Sequence, residues 1–369
     1  MEILSPHNLN SQTINTDSPA ILKALIQAHR QLAELKGIVK SIPNEDILLS
    51  TLTLQEAKDS SEIENIITTQ DALYKHCLQT DLSNLATKEV ANYSAGLRVG
   101  YDAVKKSGLL TLNNILEIQA TLENNQAGFR KVTGTVLKNE QTGEIVYTPP
   151  EPQNIPTLMD NLEKLINQDQ SGDGASDNKQ QTQTDPLVQM AIIHHQFESI
   201  HPFYDGNGRT GRIINILYLI KAGLLDSPVL YLSRYINHSK DEYYRLLQET
   251  RDTQNWDNWI IYLLKGVEQT AAHTIRLIED IKHLLQKQKH EIRNHFKFYS
   301  QDLINNIFHH PYTKVYFLER DMQVSRATAT RYLDALAQHG ILEKHKLGRE
   351  NYYLNKELVA LLFNIPVIR

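Results

Sequence analysis

The sequence predicts a mainly α protein with one β-hairpin near its middle and, at its end, a helix–turn–helix followed by a second hairpin. Three observations carry that prediction. Apolar residues recur at the helical period through most of the 369 residues. Before residue 293 the hairpin rests on two β-prone runs, 132–137 and 144–147, with turn residues between them. Residues 293–369 then change character, from short helical runs to a strand-prone pair. The length allows two or three domains. The divisions expected are a helical region over 1–100, a core over 101–290 and a separate unit over 291–369.

Residues 1–19 read as polar and extended. From Pro19, the spacing of Ile21, Leu22, Leu25, Ile26, Ala28, Leu32 and Leu35 predicts a first helix, punctuated by Gly37 and Pro43. A second helical region is expected over 48–67, where Ser60 and Glu64 stand four apart on one face. Taken alone, that pair fits a solvated helix face. Residues 85–123 predict two helices parted by Ser107 and Gly108. Gly128, Phe129 and Arg130 open the hairpin region, 130–150, and Thr148, Pro149 and Pro150 end it. A short helix is expected over 158–166. Residues 168–184, rich in Gln, Ser, Asp and Gly, predict a flexible loop without chemistry.

Asp185 and Pro186 open a helix through Leu187, Met190, Ala191, Ile193, His194 and Phe197 that ends at His201. His194 and His195 point to different faces, with no cysteine nearby, so they read as buried or interface histidines rather than metal ligands. Residues 256–267 and 271–288 predict two amphipathic helices, the second a connector. The terminal unit resembles a winged helix-turn-helix, with Arg326, Thr328, Thr330 and Arg331 on its recognition helix and Gly348 at a hairpin tip. Over 293–369, eleven Lys and Arg against seven Asp and Glu leave a surplus of +4, where the whole chain carries −5. That unit suits DNA, or a protein-interaction or dimerisation role.

A pI near 6.3 argues against a polycation built as a whole for nucleic acid. The single cysteine, Cys77, excludes an internal disulfide and fits a reducing compartment. The N-terminal residues lack a basic start followed by an apolar run, so no signal peptide is expected. The longest apolar stretch, 213–225, is interrupted by Asn215 and Lys221 and is too short to span a bilayer. The expectation is a soluble, cytoplasmic protein that avoids membranes.

The chemistry concentrates in one run: His201, Pro202, Phe203, Tyr204, Asp205, Gly206, Asn207, Gly208, Arg209, Thr210, Gly211 and Arg212. Proline and glycines predict a loop, and Ile213, Ile214, Ile216 and Leu217 predict the helix it leads into. A helix N-terminus offers unpaired N–H groups to an anion, and glycines let a phosphate approach the backbone. Arg209 and Arg212 project from one side of the first turn, as a polyphosphate clamp would. Asp205 beside them makes sense as a holder of Mg2+ shared with phosphates. His201 is the group that takes a proton near neutral pH.

This run resembles the signature of the Fic family, with every specified position filled. The resemblance implies a Fic helical core with a hairpin flap, and transfer of AMP from ATP to a Ser, Thr or Tyr hydroxyl of a target protein or of the chain itself. It implies His201 as the catalytic base. Gly206, Asn207, Gly208, Arg209 and Arg212 would bind the ATP phosphates, and Asp205 the Mg2+. Gly208 stands where a phosphorylating relative has lysine, which favours AMP transfer. Ser60, Glu64 and Asn65 fill the family's inhibitory motif on a helix near 56–70, so Glu64 is expected to pair with Arg212 and hold the γ-phosphate's place. The same glutamate would serve removal of AMP. The flap, including Val136 and Leu137, would position the target segment. Tyr244 stands where such proteins place a tyrosine near adenine, though it fits a core aromatic equally, and Arg251 replaces an asparagine of some members. Restraint through a homodimer would suit the family. The alternative is a nucleotide-sensing regulator that binds DNA through residues 291–369.

Overall fold

The computed structural model describes residues 18–42, 45–78, 84–138, 142–168, 184–347 and 350–363. The expected loop over 168–184 and the tip at Gly348 lie largely or wholly outside them. Five helices come first: α1 (Pro19–Val39), α2 (Glu45–Ile63), α3 (Gln70–Leu78), α4 (Leu85–Ser107) and α5 (Leu112–Glu123). Ser18 caps α1, accepting from the Ile21 amide at 3.3 Å. Its stripe of Ile21, Leu25, Ala28, Leu32 and Leu35 is buried against a long later helix. The strands β1 (Leu137–Lys138) and β2 (Ile145–Tyr147) form an antiparallel pair. Then come α6 (Ile155–Asn167), α7 (Pro186–Ile200), α8 (Asn207–Lys221), α9 (Ser233–His238), α10 (Lys240–Thr253) and α11 (Asp257–His295). The expected divisions after residues 100 and 290 fall inside α4 and α11, so helices run across both.

Three expectations are corrected. The helical region over 48–67 stops at Ile63, because Asn65 adopts the left-handed region at φ 61° and the amides of Asn65 and Ile66 fold back onto Glu62 and Ser61. The first flap strand is not 132–137 but two residues long, since Gly134 sits at φ 73° and breaks the extended run. The two helices expected over 256–288 are one, α11, of 39 residues and about 58 Å. Nothing between 267 and 271 carries turn chemistry strong enough to stop a helix packed along α1 and α7.

The terminal unit runs α12 (Gln301–His309), β3 (Tyr312–Lys314), α13 (Val315–Met322), α14 (Arg326–Gln338), β4 (Glu343–Leu347), β5 (Glu350–Leu354) and α15 (Lys356–Phe363). Its sheet has the order β3-β5-β4, all antiparallel. Strand β3 and helix α15 were not expected from sequence. The far end of α11 holds this unit: Gln288 and Asn355 exchange two side-chain amide bonds of 3.0 Å, both buried. On its other flank Tyr312 stacks on Tyr74, and Gln55 of α2 donates to the Leu362 carbonyl at 2.8 Å.

At the centre α7 is buried from Leu187 through Ile200, with Asp185 capping it and Pro186 at its first position. His194 and His195 belong to that core. His194 bonds the Tyr243 hydroxyl at 2.9 Å and stacks on Trp259, while His195 meets the Leu247 carbonyl and the edge of Trp256. Among the described residues no cluster of three His, Cys, Asp or Glu is arranged to hold a metal, and no helix is long and apolar enough to cross a membrane.

Candidate active site

The signature run joins the end of α7 to the start of α8. His201 closes α7 in the left-handed region, at φ 48° and ψ 61°. A non-glycine residue held there costs about 1–3 kcal/mol and persists only where its surroundings fix it. Gly206 caps α8 at φ 75°, and a Cβ there would lie 2.4 Å from Glu123 Oε1, so both backbone and space require glycine. Asn207 braces the loop with its side chain, accepting from the Phe203 amide at 2.8 Å and donating to the Phe203 carbonyl at 3.0 Å. What Asn207 offers an anion is therefore its backbone N–H, in the first turn of α8, where amides have no intrahelical acceptor. Helix α8 begins at Asn207, earlier than the sequence pattern indicated.

Both guanidiniums of the run are buried, each 2% exposed, and one carboxylate bridges them. Glu64 Oε1 accepts from Arg212 Nη2 at 2.8 Å, and Oε2 accepts from Arg209 Nε at 2.9 Å. Arg212 Nε also donates to Ser60 Oγ and Nη2 to the Ser60 carbonyl, both at 2.8 Å. Burial works against the Arg212 charge, but Glu64 and the surrounding Tyr243, Tyr93 and Tyr244 outweigh it and hold its pKa above the usual value. Arg209 Nη2 donates to Glu123 Oε1 at 2.9 Å. Burial raises the Glu123 pKa; Arg209 opposes this, while Asp205, Glu64 and Glu89 add to it. Asn65 accepts from Lys240 Nζ at 3.3 Å.

Helix α2 is anchored a turn before Ser60. Glu56, fully buried, accepts from the Tyr93 hydroxyl at 2.9 Å, the Ser233 amide at 3.1 Å and the Ser233 hydroxyl. Burial pushes its pKa up to about 7, against the pull of those donors. Between about pH 4.5, its ordinary value, and about 7, the folded chain therefore holds a proton that the unfolded chain has lost. Stability from this group falls as pH rises through that window. Urea titrations should show the stability deficit of Glu56→Gln shrinking by about 3 kcal/mol from pH 4.5 to 7.5, since glutamine carries no titration.

His201 is largely buried, and its pKa is lowered to about 4. Desolvation is the main cause, the guanidiniums of Arg130 and Arg251 add to it, and Asp205 opposes. Asp205 stands at the mouth, 77% exposed, with one carboxylate oxygen taken by the Gly206 amide at 2.7 Å. The flap strands pair antiparallel in an irregular register, Leu137 with Tyr147 and Lys138 with Ile145, and Val136 and Leu137 are both half-buried. Residues 139–141 lie outside the described part. Tyr147 reaches from the flap to the Ser199 carbonyl at 3.0 Å, and Arg251 packs over its ring at 3.9 Å. Arg251 also bonds Ser199 Oγ and the Glu198 carbonyl. Tyr244 is 44% exposed and edge-on to Tyr243, which takes the core position instead.

The structure thus brings Ser60, Glu64, Asp205, Gly206, Gly208, Arg209 and Arg212 around the start of α8, beside His201. Sequence reasoning missed Glu123 and Glu56, which no motif marks. It also gave Arg130 no role, although Gly128, Phe129 and Arg130 mark the opening of the hairpin region.

Three family models match this chain. The Fic/DOC family N-terminal model matches residues 22–102, the Fic/DOC family model matches 109–219, and the model of the protein adenylyltransferase SoFic-like C-terminal domain matches 284–366. The chain belongs to the Fic family. It is 26% identical over 162 residues to the protein adenylyltransferase Fic of Aedes aegypti, covering 44% of this chain and 29% of that protein. To a probable protein adenylyltransferase of Aquifex aeolicus (strain VF5) it is 28% identical over 192 residues, 51% of this chain and 54% of that protein. The matches thus span about a third and about half of these relatives' lengths. A Fic family protein from Desulfovibrio desulfuricans G20 superposes with a TM-score of 0.55 at 19% identity, over 92% of this chain and 97% of that one. A Fic-1 segment from C. elegans gives 0.53 at 18%, over 71% and 75%. These two likenesses support the mainly helical Fic fold.

Proposed function

We propose that the chain is a protein adenylyltransferase restrained by Glu64. The observation that carries this is the single carboxylate bridging Arg209 and Arg212 in front of the α8 amides. Two buried guanidiniums and a glycine-lined helix start make an anion site. A residue of the chain fills it with a carboxylate. ATP phosphates would take the Glu64 position on Arg209 and Arg212, and the amides of Asn207 and Gly208 would face charge developing on the α-phosphate. The donor set at the mouth fits Mg2+: Asp205 is an exposed carboxylate, and that ion binds through one or two carboxylates plus phosphates and water. Bound there, it would neutralise phosphate charge. His201 takes the proton from a Ser, Thr or Tyr hydroxyl of a target, or of the chain itself. The hydroxyl oxygen forms the new bond to the α-phosphorus, the bond to the β-phosphate's bridging oxygen breaks, and pyrophosphate departs. The flap, with Val136 and Leu137, supports the target segment by strand addition, and the half-exposed Tyr244 would contact the adenine. Glu64 is also suited to orienting a water for removal of AMP. Regulation through a homodimer accords with this restraint.

The test is the intact mass of the chain after incubation with ATP and Mg2+, wild type beside Glu64→Gly, and then AMP release from a pre-modified chain. A mass gain of one AMP supports transfer. No gain and no release would refute it for the chain as its own substrate.

Gly208 gives a second test. A Cβ there would lie 2.3 Å from Glu64 Oε1 and 2.9 Å from Arg212 Nη1. Gly208→Ala should push Glu64 aside yet crowd the phosphates. In the Glu64→Gly background it should lower AMP transfer about tenfold or more, with little change in melting temperature.

A second reading has its own observation. Arg326 and Arg331 are exposed on α14, whose other face buries Ala329, Leu333 and Leu336. Such a face in a winged-helix-like unit suits a DNA backbone. Salt-dependent retardation of a duplex by the full chain would support it, and loss on Arg326→Ala with Arg331→Ala would assign it to α14.

A further inference from the structure

We propose that Arg130 sets the catalytic histidine and the flap in register, as a positioning residue for proton removal and transfer rather than for nucleotide binding; this rests on the adenylyltransferase reading above. Consecutive residues at the foot of the flap engage consecutive residues of the signature run. Phe129 packs on Phe203 at 5.6 Å between ring centres, the Arg130 amide donates to the Pro202 carbonyl at 2.9 Å, and the Lys131 amide donates to the Tyr204 hydroxyl at 2.9 Å. The Arg130 side chain closes the junction. Its Nε donates to the His201 carbonyl at 2.8 Å, its Nη2 to the Pro150 carbonyl and its Nη1 to Thr135 Oγ1 at 3.5 Å. One planar fork thus ties both feet of the flap, 130 and 150, to the strained residue that carries the imidazole.

The chemistry of the fork points the same way. Arg130 is 3% exposed, and among the described residues none of its side-chain bonds is to a carboxylate. Burial lowers the Arg130 pKa although Glu151 nearby favours the charge, so the guanidinium is held there at a cost. The retained charge has an evident use. The charged groups around His201 are Arg130 at the flap foot, Arg251 on α10 and Asp205 in the loop. Burial is the main reason the imidazole stays neutral, and the two cations add to it, so His201 is ready to accept a proton. Arg130 adds direction to that charge, because it grips the histidine's own carbonyl while fixing where the flap stands.

The test compares Arg130→Gln and Arg130→Lys in the Glu64→Gly chain with three readouts. The first is the titration of His201 by NMR, its signal assigned by loss in His201→Ala. The second is the affinity for ATP with Mg2+ by calorimetry. The third is the rate of one-AMP mass gain. Arg130→Gln should move the His201 midpoint up by about one pH unit and slow AMP gain about tenfold or more, with ATP affinity within about twofold. Arg130→Lys keeps the charge and loses the fork, so the midpoint should stay near the parent's while the rate falls to an intermediate value. An unmoved midpoint in Arg130→Gln, or ATP affinity falling in step with the rate, would overturn the proposal. If Arg130→Gln does not fold, a lysine variant with the parent's rate overturns it and a slowed one with intact ATP affinity sustains it. If the parent gains no AMP, the adenylyltransferase reading fails for the self-substrate, while the titration still decides the role of Arg130.

Discussion

Glu64→Gly should raise AMP incorporation over wild type by about tenfold or more at subsaturating ATP. The argument is one of competition for two guanidiniums. Glu64 accepts one charged hydrogen bond from each of Arg209 and Arg212, and such bonds contribute roughly 1.5–3 kcal/mol apiece. An ATP phosphate must replace both and also enter a field made more negative by the carboxylate. Since each 1.4 kcal/mol is about tenfold in an equilibrium constant, removing even part of that competition suffices. Folding should survive the change. Arg212 keeps Ser60 Oγ and the Ser60 carbonyl, and Arg209 keeps Glu123. Intact mass with time decides it: equal rates for wild type and variant would remove Glu64 from the mechanism. Because the arginines are only 2% exposed, the wild-type restraint should also resist added salt far better than a surface ion pair.

His201→Ala in the same background should cut AMP gain by about 100-fold to 10,000-fold, the usual effect of losing a positioned base. ATP affinity should change little, since no phosphate contact is assigned to the imidazole. The pH profile separates this from a packing defect. An imidazole with its pKa lowered to about 4 is neutral from pH 8 down to about 5, so the His201-dependent limb of kcat/KM should stay flat across that range and fall only below it. An unperturbed histidine would begin to lose activity near its ordinary value of 6.5. A limb centred near 6.5 would show that His201 is more open to water in the working enzyme than its burial indicates.

Much of the architecture was legible because helical periodicity is long-ranged and redundant: α1, α4 and α5 each carry several apolar residues on one stripe, while α7 and α8 are buried on all sides and were marked by their apolar runs. The ends of elements were less so. The left-handed turn at Asn65 depends on one backbone torsion, which asparagine tolerates but does not dictate. Strand β3 is three residues long and is held by pairing with β5, a partner some forty residues away that local pattern does not reveal. In the site, the twelve-residue run was legible because its residue types are chemically improbable together. Glu123 and Arg130 were not, because each is an ordinary residue given its place by the fold. That Glu64 would meet Arg209 as well as Arg212 followed from neither the spacing nor the motif. It required knowing that α2 ends one residue before Glu64.

Helix α2 is held on three sides. Gln55 bonds α15, Glu56 bonds Tyr93 of α4 and Ser233 of α9, and Ser60 bonds Arg212 of α8. A rod pinned at successive points along its length cannot swing as a lever without releasing all of them together. Its tip is different: beyond Ile63 the chain turns, and Glu64 projects from that turn rather than from the rod. If Glu64 restrains the site as proposed, the moving part would be one side chain on a fixed post, a latch whose travel is a few rotamer steps. Opening and closing on that scale needs no domain movement and no refolding, and can keep pace with each arriving nucleotide.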